Sequence, residues 1–410
     1  MDRRTLLKLM AATALAGTSP HNSASGKNSS KEKVLVVGAG IIGASIAYQL
    51  AKAGAEVTII DSLAPASQAS QGTFAWINAT WAKQPKSYHA LNQESVASWG
   101  QLQNELGLNI RWGGSLEWFA SATRQDKLEL QIAEQIAWGE PARMLSASEF
   151  KQHEPQVNFQ GQNRVAYSPN DGAIDPVAAT HSLLKAAVKL GAKLTYPCKL
   201  LELSFAGGRL VGAETSLGGI ATDKVVLATG AAPDTASRFA GLDLPQRSTP
   251  GIIAITKPMP QLLNGVISAP GIHMHQRTDG RIVLGEQSGP PKNEAHKNRL
   301  KGRPNGFPSR ELAAEHATRM FAVAEVFCPK MAGLKVEDVH IGWRPLPLDG
   351  HPVIGASVRQ PNVYLAVMHS GVSLAPIVGQ LVAYELMSGK TVPRLDAYRP
   401  DRPFKRVKRY

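Results

Sequence analysis

The composition of the chain excludes several classes of protein. It has 410 residues, of which 43% are hydrophobic and 19% charged, a globular composition with room for two or three domains. Because no apolar run reaches the roughly 20 residues that cross a bilayer, no transmembrane span is predicted. Cys198 and Cys328 lie far apart and form no C-x-x-C pair, so the sequence predicts neither a metal site nor a redox pair.

The net charge of +13 is concentrated in a few segments rather than spread along the chain. Residues 289–310 carry six Lys and Arg against one acidic residue, and residues 401–410 carry five against one. Neither segment has the interleaved aromatic residues that accompany nucleic-acid binding. We therefore predict a solvated basic loop, a basic tail and no nucleic-acid partner. Peripheral docking of either segment on anionic lipid headgroups is an alternative.

The N-terminus resembles a twin-arginine export signal. Arg3 and Arg4 precede a short apolar run that continues to Gly17, with a small-residue cleavage pattern at Ala14–Ala16. We predict a signal peptide over residues 1–17 and a polar linker over 18–32, and hence a periplasmic or exported protein. The alternative is a disordered basic tail.

A glycine-rich turn follows the first strong strand pattern. Val34–Val37 is a continuous apolar run, which is typical of a buried parallel strand. Gly38, Gly40 and Gly43 then form G-x-G-x-x-G at the start of a helix. Such a turn lets a pyrophosphate approach the backbone and the N-terminal N–H groups of the helix.

An acidic residue ends the second strand of this unit. Val57–Ile60 is again apolar, and Asp61 follows it at the distance expected for a carboxylate that binds a ribose hydroxyl. Strand, glycine turn, helix and acid together predict a dinucleotide site. They do not distinguish FAD from NAD.

A loop rich in small polar residues comes next. Ser67–Ala75 reads S-Q-A-S-Q-G-T-F-A, and Ser70, Gln71, Gly72 and Thr73 are candidates for a second layer of donors around a bound cofactor. The alternative is an ordinary polar loop. Trp76 and Trp81 follow, and we expect them to pack rather than to catalyse.

Hydrophobic periodicity defines the middle of the chain. It predicts helices over Tyr88–Leu106, Arg124–Trp138, Ser146–Glu154, Pro176–Leu190 and Ser309–Phe327. It predicts a hairpin over Ile110–Phe119 and strands over Lys193–Leu203, Arg209–Thr215 and Lys224–Leu227. The last strand runs into Thr229 and Gly230, where the backbone would pass beneath a cofactor.

A second group of candidate site residues lies on an alternating segment. In Ile272–Arg277, a strand would place His273, His275 and Arg277 on one face. The turn Thr278–Gly280 and a return strand follow.

A late strand–glycine–helix junction mirrors the first one. The strand Asn362–Met368 leads through His369–Pro376 into a helix that ends near Met387. The two chain ends are therefore predicted to build one cofactor domain and the middle a second domain. The predicted segments are 33–85, 166–245 and 336–400 for the cofactor domain, and 86–165 and 246–335 for the substrate domain, with a basic tail at 401–410.

Together these motifs resemble the D-amino-acid oxidase-like superfamily of FAD-dependent oxidoreductases, which includes glycine oxidase, sarcosine oxidase and D-amino-acid dehydrogenase. The resemblance rests on the first glycine motif and on seven later segments. These are Ser67–Thr73, Gly172–Pro176, Ala228–Gly230, Arg277–Arg281, Gly342–Gly355, His369–Pro376 and Tyr398–Arg402. It implies an α/β fold (α+β overall): a Rossmann-like FAD-binding domain with a second, mostly antiparallel β-sheet substrate domain. It also favours FAD over NAD.

The resemblance implies a set of cofactor-binding residues. They are Gly38, Ala39, Gly40, Ile41, Ile42 and Gly43 at the pyrophosphate, Asp61 and Ser62 at the ribose, Ser70, Gln71, Gly72 and Thr73 in the polar loop, Leu200 at the adenine, Thr229 and Gly230 beneath the cofactor, and Gly371, Val372, Ser373 and Leu374 at the flavin pyrimidine edge. The flavin-linking cysteine that sarcosine oxidase-like members carry near Gly342 is absent, which implies non-covalent FAD.

The resemblance also implies a chemistry. An arginine would hold the substrate carboxylate, with Arg277 ranked before Arg344, and one of His273 and His275 would face the pocket. We hypothesise that a small amino acid or secondary amine loses hydride to flavin N5 and that the imine is hydrolysed. Oxygen, a quinone or a carrier protein would accept the electrons.

Two alternatives remain open at the level of sequence. A 2-hydroxy acid dehydrogenase of the same fold would oxidise a C–O bond, and His273 or His275 would then serve as the base that such chemistry requires. A non-catalytic flavin-binding protein is the other.

Overall fold

The computed structural model describes residues 31–159, 164–287, 306–307 and 309–407. The predicted signal peptide, the linker up to residue 30, the basic loop from 288 to 305 and the last three residues of the basic tail lie outside the described residues.

The described residues form eight helices and twenty strands. The helices are α1 (Ile41–Lys52), α2 (Lys86–Leu106), α3 (Ala122–Ala137), α4 (Ala147–His153), α5 (Pro176–Lys189), α6 (Pro233–Ala240), α7 (Arg310–Phe327) and α8 (Gly371–Ser388). The strands are β1 (Lys33–Val37), β2 (Glu56–Ile60), β3 (Trp76–Ile77), β4 (Ile110–Trp112), β5 (Ser115–Glu117), β6 (Arg143–Leu145), β7 (Val165–Ser168), β8 (Gly172–Ile174), β9 (Lys193–Thr195), β10 (Leu200–Ala206), β11 (Arg209–Thr215), β12 (Gly218–Ala221), β13 (Lys224–Leu227), β14 (Gln246–Thr256), β15 (Val266–Ala269), β16 (Ile272–Gln276), β17 (Ile282–Glu286), β18 (Val336–Pro347), β19 (Val353–Ala356) and β20 (Val363–Val367).

The first large sheet has six strands in the order β19-β20-β13-β1-β2-β9. All neighbours are parallel except β19, which is antiparallel to β20. The inner strands are buried on both faces, which explains their continuous apolar runs. Because β1, β2, β13 and β20 are parallel, their carboxyl ends meet at one edge of the sheet, where cofactors bind in such folds.

Two helices from opposite ends of the chain pack together on this sheet. α1 and α8 approach so closely that a Cβ at Gly379 would lie 2.4 Å from Ser45 Oγ. The Ser45 hydroxyl donates to the Ala375 carbonyl oxygen at 2.7 Å. Among the described residues α8 is the one helix long and apolar enough to cross a membrane, but 72% of it is buried inside the protein.

The second large sheet has eight strands in the order β18-β14-β17-β16-β15-β5-β7-β6. Its pairs are antiparallel except β15 with β5. Alternate residues such as Ile272, Met274 and Leu284 share a buried cluster with Met320 and Phe321 of α7. That helix therefore covers one face, and the other face is turned toward the polar loop at Ser67–Ala75.

Most predicted elements of the middle region are confirmed. The five helices lie within two residues of their predicted bounds. Asp175 caps α5, with its carboxylate accepting the backbone N–H groups of Val177 and Ala178. Ser146 and Glu149 form a capping box at α4. The expected mixed α/β fold with a mostly antiparallel second sheet is also confirmed.

The predicted hairpin at Ile110–Phe119 is wrong. β4 pairs with β8 in a small sheet, whereas β5 pairs with β15 and β7 in the eight-stranded sheet. The glycines between them serve a close crossing rather than a tight turn, since a Cβ at Gly113 would lie 2.0 Å from the Asn264 carbonyl oxygen.

Two other strands differ from the prediction. Lys193–Leu203 is divided, because the Cys198 backbone N–H donates to the Asp61 carbonyl oxygen and the chain then leaves the large sheet for a three-stranded sheet of β10, β11 and β12. The predicted cofactor segment 336–400 begins with β18, and this strand pairs along β14 in the eight-stranded sheet. The other segment boundaries stay a prediction.

Candidate active site

The glycine turn after β1 is built for close packing. Gly38 has φ 109, and a Cβ there would lie 2.4 Å from the Ala228 carbonyl oxygen. A Cβ at Gly43 would lie 1.8 Å from the Gly38 carbonyl oxygen. Only glycine fits either position, so α1 starts directly against the turn and its first N–H groups face the sheet edge.

Two side chains organise the start of α1. The Asp61 carboxylate accepts the Ala39 backbone N–H at 2.7 Å, and burial raises the pKa of this carboxyl. Ser70 Oγ accepts the Ile41 backbone N–H at 3.0 Å and so caps the helix from the polar loop. The predicted acid and the predicted polar loop thus both reach the glycine turn.

The start of α8 lies beside the start of α1. A Cβ at Gly371 would be 3.5 Å from Ile42 Cγ1. Ser373 Oγ donates to the Trp76 carbonyl oxygen at 3.1 Å and accepts the Asn78 backbone N–H at 3.2 Å. The first N–H groups of a helix have no partner within it, so two sets of such donors converge here.

The polar loop also touches the second sheet. A Cβ at Gly72 would lie 2.2 Å from the Gly342 backbone nitrogen, and a Cβ at Gly342 would lie 2.4 Å from the Gly72 carbonyl oxygen. The two backbones are therefore in contact, and this contact leaves no room for a cysteine side chain at 342. The two cysteines, Cys198 and Cys328, are both buried.

The remaining predicted cofactor residues lie along the same sheet edge. Thr229 and Gly230, with φ 54 at the glycine, follow β13. Leu200 begins β10, next to the segment bonded to Asp61. Ala39, Gly40, Ser62, Gln71 and Thr73 lie in the turns between these points, and Val372 and Leu374 in the first turn of α8. The structure thus brings these predicted residues to one edge, and their individual contacts with a cofactor stay predictions.

The eight-stranded sheet presents two histidines to the polar loop. Because Ile272 and Met274 pack under α7, His273 and His275 point to the opposite face. The Phe74 ring lies 5.4 Å from the His273 ring and 4.7 Å from the His275 ring, centroid to centroid.

Three glycines leave part of this sheet face without side chains, next to an arginine. We call the area formed by Gly251, Gly285 and Gly342 the glycine hollow. The Arg344 side chain lies against Gly251, since a Cβ there would be 2.9 Å from Arg344 Nε, whereas Gly285 faces the Phe74 ring and Gly342 contacts Gly72 of the polar loop. Arg344 Nη2 also donates to the Pro250 carbonyl oxygen at 3.2 Å. A guanidinium is thus held flat on the sheet face that is turned toward the polar loop.

The two histidines differ in their surroundings. Burial, and then the positive charges of Arg344 and Arg124, lower the pKa of half-buried His273 to about 4. Burial lowers the pKa of His275 to about 3, and its Nε2 donates to the Phe74 carbonyl oxygen at 2.8 Å. Both rings are therefore neutral at physiological pH. His275 is hydrogen-bonded to the polar loop at Phe74, whereas His273 lies within the electrostatic influence of Arg344 on the same sheet face.

Arg277 lies in a different environment. Its Nη1 donates to the Asp175 carboxylate at 2.9 Å, and its side chain is 9% exposed. It borders a cavity of about 140 Å³ with Thr278, Asp279 and the start of α5, and none of the predicted cofactor residues lines that cavity. The predicted first choice for the carboxylate clamp is thus already paired with an acid.

Sequence reasoning missed two buried carboxylates that bind the indoles of Trp76 and Trp81. Glu117 accepts the Trp81 indole N–H, and Asp171 accepts the Trp76 indole N–H at 3.0 Å. Burial raises the pKa of Glu117 to about 7 and that of Asp171 to about 6. The two tryptophans follow the polar loop in sequence, but no local pattern connects Trp81 to an acid 36 residues away or Trp76 to one 95 residues away.

The residues at the sheet edge fit FAD. Two helix starts and the half-buried carboxylate of Asp61 suit a pyrophosphate and a ribose. On the facing sheet Thr249 Oγ1 is buried and has no hydrogen-bond partner among the described residues, although its strand neighbour is Arg344. A polar group of a ligand would satisfy that orphaned atom.

Comparison with known proteins agrees with this geometry. An opine oxidase subunit from Agrobacterium tumefaciens (strain Ach5) is 24% identical over 380 residues, covering 88% of this chain and 95% of that protein. Glycine oxidase of Geobacillus kaustophilus (strain HTA426) is 25% identical over 364 residues, covering 85% of this chain and 91% of that protein.

Solved structures share the fold. Glycine oxidase from Geobacillus kaustophilus superposes with a TM-score of 0.80 at 22% identity, over 92% of this chain and 100% of that one. L-proline dehydrogenase from P. horikoshii superposes with a TM-score of 0.78 at 24% identity, over 90% of this chain and 97% of that one. The family model for DAO, FAD dependent oxidoreductase, matches residues 33–385. The chain therefore belongs to this family and is an enzyme whose cofactor is FAD.

Proposed function

We propose that the enzyme oxidises the C–N bond of a small amino acid or secondary amine whose carboxylate is held by Arg344. The observation that carries the proposal is the guanidinium of Arg344, which lies against Gly251 on the sheet face that also carries neutral His273 and is turned toward the polar loop. Several relatives are named for oxidation of amines or amino acids, among them the glycine oxidases and 4-methylaminobutanoate oxidase.

Arg344 replaces Arg277 as our first candidate for the clamp. The ion pair between Arg277 and Asp175 neutralises the guanidinium, and breaking it would leave a buried charge without a partner. A bidentate fork for a carboxylate requires donors that face the substrate, and Arg344 lies on the face that also carries His273.

The low pKa of His273 favours C–N over C–O oxidation. Removing an alcohol proton requires a base with a pKa near the working pH, and a ring with a pKa of about 4 is a weak one. An amine that arrives uncharged needs no such base. His273 would instead accept a hydrogen bond from the substrate amine and orient it.

The other groups of the site would bind the cofactor and shield the substrate. FAD, when bound, supplies the two-electron acceptor for this chemistry. The first turn of α8 offers backbone N–H groups and a positive helix end, which would stabilise the negative charge that a bound flavin gains on reduction. Phe74 and Trp76 border His273 and would exclude water from that side of the hollow.

An anaerobic screen tests the proposal. FAD-loaded protein is mixed without oxygen with panels of amino acids, secondary amines and 2-hydroxy acids, and the flavin absorbance is followed. We expect bleaching with members of the amine panels and none with hydroxy acids. Bleaching by hydroxy acids alone would move the assignment to C–O oxidation, and no bleaching by any amine or amino acid would contradict the proposed C–N oxidation.

The electron acceptor and the location belong to the same proposal. Re-oxidation of the bleached enzyme with oxygen, a soluble quinone or a carrier protein identifies the acceptor.

We also propose export by the twin-arginine pathway, supported by Arg3 and Arg4 before the apolar run. Replacing both arginines by lysine should retain the protein in the cytoplasm, and unchanged periplasmic yield would contradict export by this route.

A further inference from the structure

The segment Trp76–Trp81 connects the start of α8, at the edge of the six-stranded sheet where FAD is expected, with the eight-stranded sheet, which we call the substrate sheet. At its start, Ser373 in the first turn of α8 bonds the backbone of both Trp76 and Asn78. Ala75 and Trp81 have φ values of 61 and 56. A left-handed backbone is rare for a bulky residue and persists only where surrounding contacts hold it. The segment is therefore kept in shape by its neighbours.

Each indole of this segment donates to a buried carboxylate. Glu117 is 2% exposed, and one of its oxygens accepts Trp81 Nε1 while the other accepts Ser268 Oγ at 2.9 Å. Asp171 is equally buried and accepts Trp76 Nε1 at 3.0 Å and Ser115 Oγ at 2.7 Å. The carboxylates belong to the substrate sheet and its β7–β8 turn, so they anchor the segment from that side.

The two tryptophans connect these carboxylates with His273. The Trp76 and Trp81 rings meet edge to face at 5.8 Å, and the Trp76 ring lies 6.0 Å from the His273 ring. Glu117, Ser268 and His273 are successive cross-strand neighbours on β5, β15 and β16. Their side chains therefore share the face that carries the glycine hollow.

We propose that Glu117 is a positioning residue that fixes the Trp81 indole, and through it Trp76 against His273, and thereby sets how tightly substrate is held. Two separate oxygens serve two donors, so a glutamine would turn its NH₂ group toward one of them. The inference rests on the proposed amine substrate in the hollow.

A second buried glutamate supplies the control. Glu154 is 1% exposed, and it accepts the backbone N–H groups of Asn264 at 3.0 Å and Gly265 at 2.7 Å. Burial raises its pKa to about 7, as it does for Glu117. In the described part of the chain it has no hydrogen bond to the Trp76–Trp81 segment. Glu154→Gln therefore reproduces the cost of a buried amide without disturbing the indoles.

The experiment compares Glu117→Gln, Trp81→Phe, the double variant and Glu154→Gln as FAD-loaded proteins. Anaerobic stopped-flow reduction by the best amine of the screen gives the substrate Kd and the limiting rate separately. We expect roughly tenfold weaker Kd in both single variants, no further loss in the double variant and a limiting rate within about twofold of wild type. Glu154→Gln should keep the wild-type Kd. A wild-type Kd in Glu117→Gln, or multiplied losses in the double variant, would overturn the inference.

Two further measurements keep the inference decidable. If no amine bleaches the wild-type flavin, the proposed function fails, and near-ultraviolet circular dichroism decides the positioning role: Glu117→Gln and Trp81→Phe should lose the same indole band, and Glu154→Gln should keep it. If Glu117→Gln does not fold, Trp81→Phe is compared with Trp112→Phe, whose indole bonds Gln103 at 2.6 Å near the surface. Equal Kd values in those two variants would refute the role.

Discussion

At the residue scale, the hollow combines one cation with one neutral ring. Burial, and then the positive charges of Arg344 and Arg124, lower the pKa of His273 to about 4, so the ring stays uncharged well below neutral pH. A charged imidazolium there would carry a proton on both ring nitrogens and could not accept a hydrogen bond from the substrate amine. In the proposed site, a neutral His273 can accept a hydrogen bond from the substrate amine while Arg344 binds the substrate carboxylate.

Glu154 allows a pH-dependent prediction at the same scale. Its folded-state pKa of about 7 lies above the ordinary value of 4.5, so the folded protein binds the proton more tightly than the unfolded chain. Stability from this group is therefore fully present below pH 4.5 and is lost as the pH rises to about 7. We expect Glu154→Gln to remove a slope on the order of 3 kcal/mol over that range.

Urea denaturation at several pH values between 4.5 and 8 measures this slope. Arg143 and Glu149 form an exposed pair, so Glu149→Gln serves as a surface control that should keep the wild-type slope. A Glu154→Gln profile parallel to the wild-type profile would show that the Glu154 carboxyl titrates normally in the folded state.

At the element scale, backbone contacts between loops and strands hold the two halves of the site together. The glycine motif was predictable because strand, turn, helix and acid follow one another within 29 residues, from Lys33 to Asp61. The contact of Gly72 with Gly342 was not predictable, because nothing in the sequence around either glycine indicates that the other lies against it. The same limitation explains the wrong hairpin at Ile110–Phe119, where glycines suggested a turn and in fact permit a crossing.

The contact between Gly72 and Gly342 predicts a sharp effect of a single methyl group. Gly72→Ala would place a Cβ 2.2 Å from the Gly342 nitrogen, so the polar loop must move away from β18. We expect at least tenfold weaker FAD binding and a loss of about 1–3 kcal/mol of stability. FAD titration of the apoprotein and thermal unfolding measure the two effects.

Gly100 provides the matched control for this substitution. It lies inside α2, and a Cβ there meets nothing within 4 Å. Gly100→Ala should raise stability by about 0.5–1 kcal/mol and leave FAD affinity unchanged. Equal FAD affinity in Gly72→Ala and Gly100→Ala would mean that the loop does not need its contact with β18.

At the scale of the whole molecule, two arginines of the C-terminal segment fix that segment to the FAD-binding part of the protein. Arg399 donates to both oxygens of Glu385, near the end of α8, at 2.7 and 2.8 Å, and Tyr364 of β20 donates to the same carboxylate. Arg402 bonds Asp349 in a similar two-pronged manner at 2.7 and 3.1 Å. Arg402, which belongs to the predicted basic tail, thus pairs with a buried acid in the turn between β18 and β19.

Arg399→Ala tests this closure. Removing the guanidinium leaves Glu385, which is 8% exposed, without its main partner, and we expect a loss of about 3–5 kcal/mol of unfolding free energy. Arg394 pairs with Glu94 at the surface, so Arg394→Ala should cost at most about 1 kcal/mol. Similar losses in the two variants, measured by urea denaturation, would contradict a structural role for the terminal segment.

Sequence patterns predicted the general architecture better than the details of the active site. Periodicity and the paired strand–glycine–helix junctions placed both chain ends in one cofactor unit, and six strands from those segments do form one sheet. The rank of Arg277 over Arg344 could not be judged from sequence, because Asp175 lies 102 residues from its partner. Ion pairs and buried acids depend on distances that only the folded chain defines.

The most direct test of the account is substrate affinity measured in Arg344 and Arg277 variants. Anaerobic flavin reduction is followed for wild type, Arg344→Ala, Arg344→Lys and Arg277→Ala with the best amine of the screen. We predict that Arg344→Ala weakens substrate Kd by roughly 100-fold, that Arg344→Lys recovers part of this loss, and that Arg277→Ala lowers stability while changing Kd much less. A wild-type Kd in Arg344→Ala, or a larger loss of affinity in Arg277→Ala, would contradict the assignment of the glycine hollow as the substrate site.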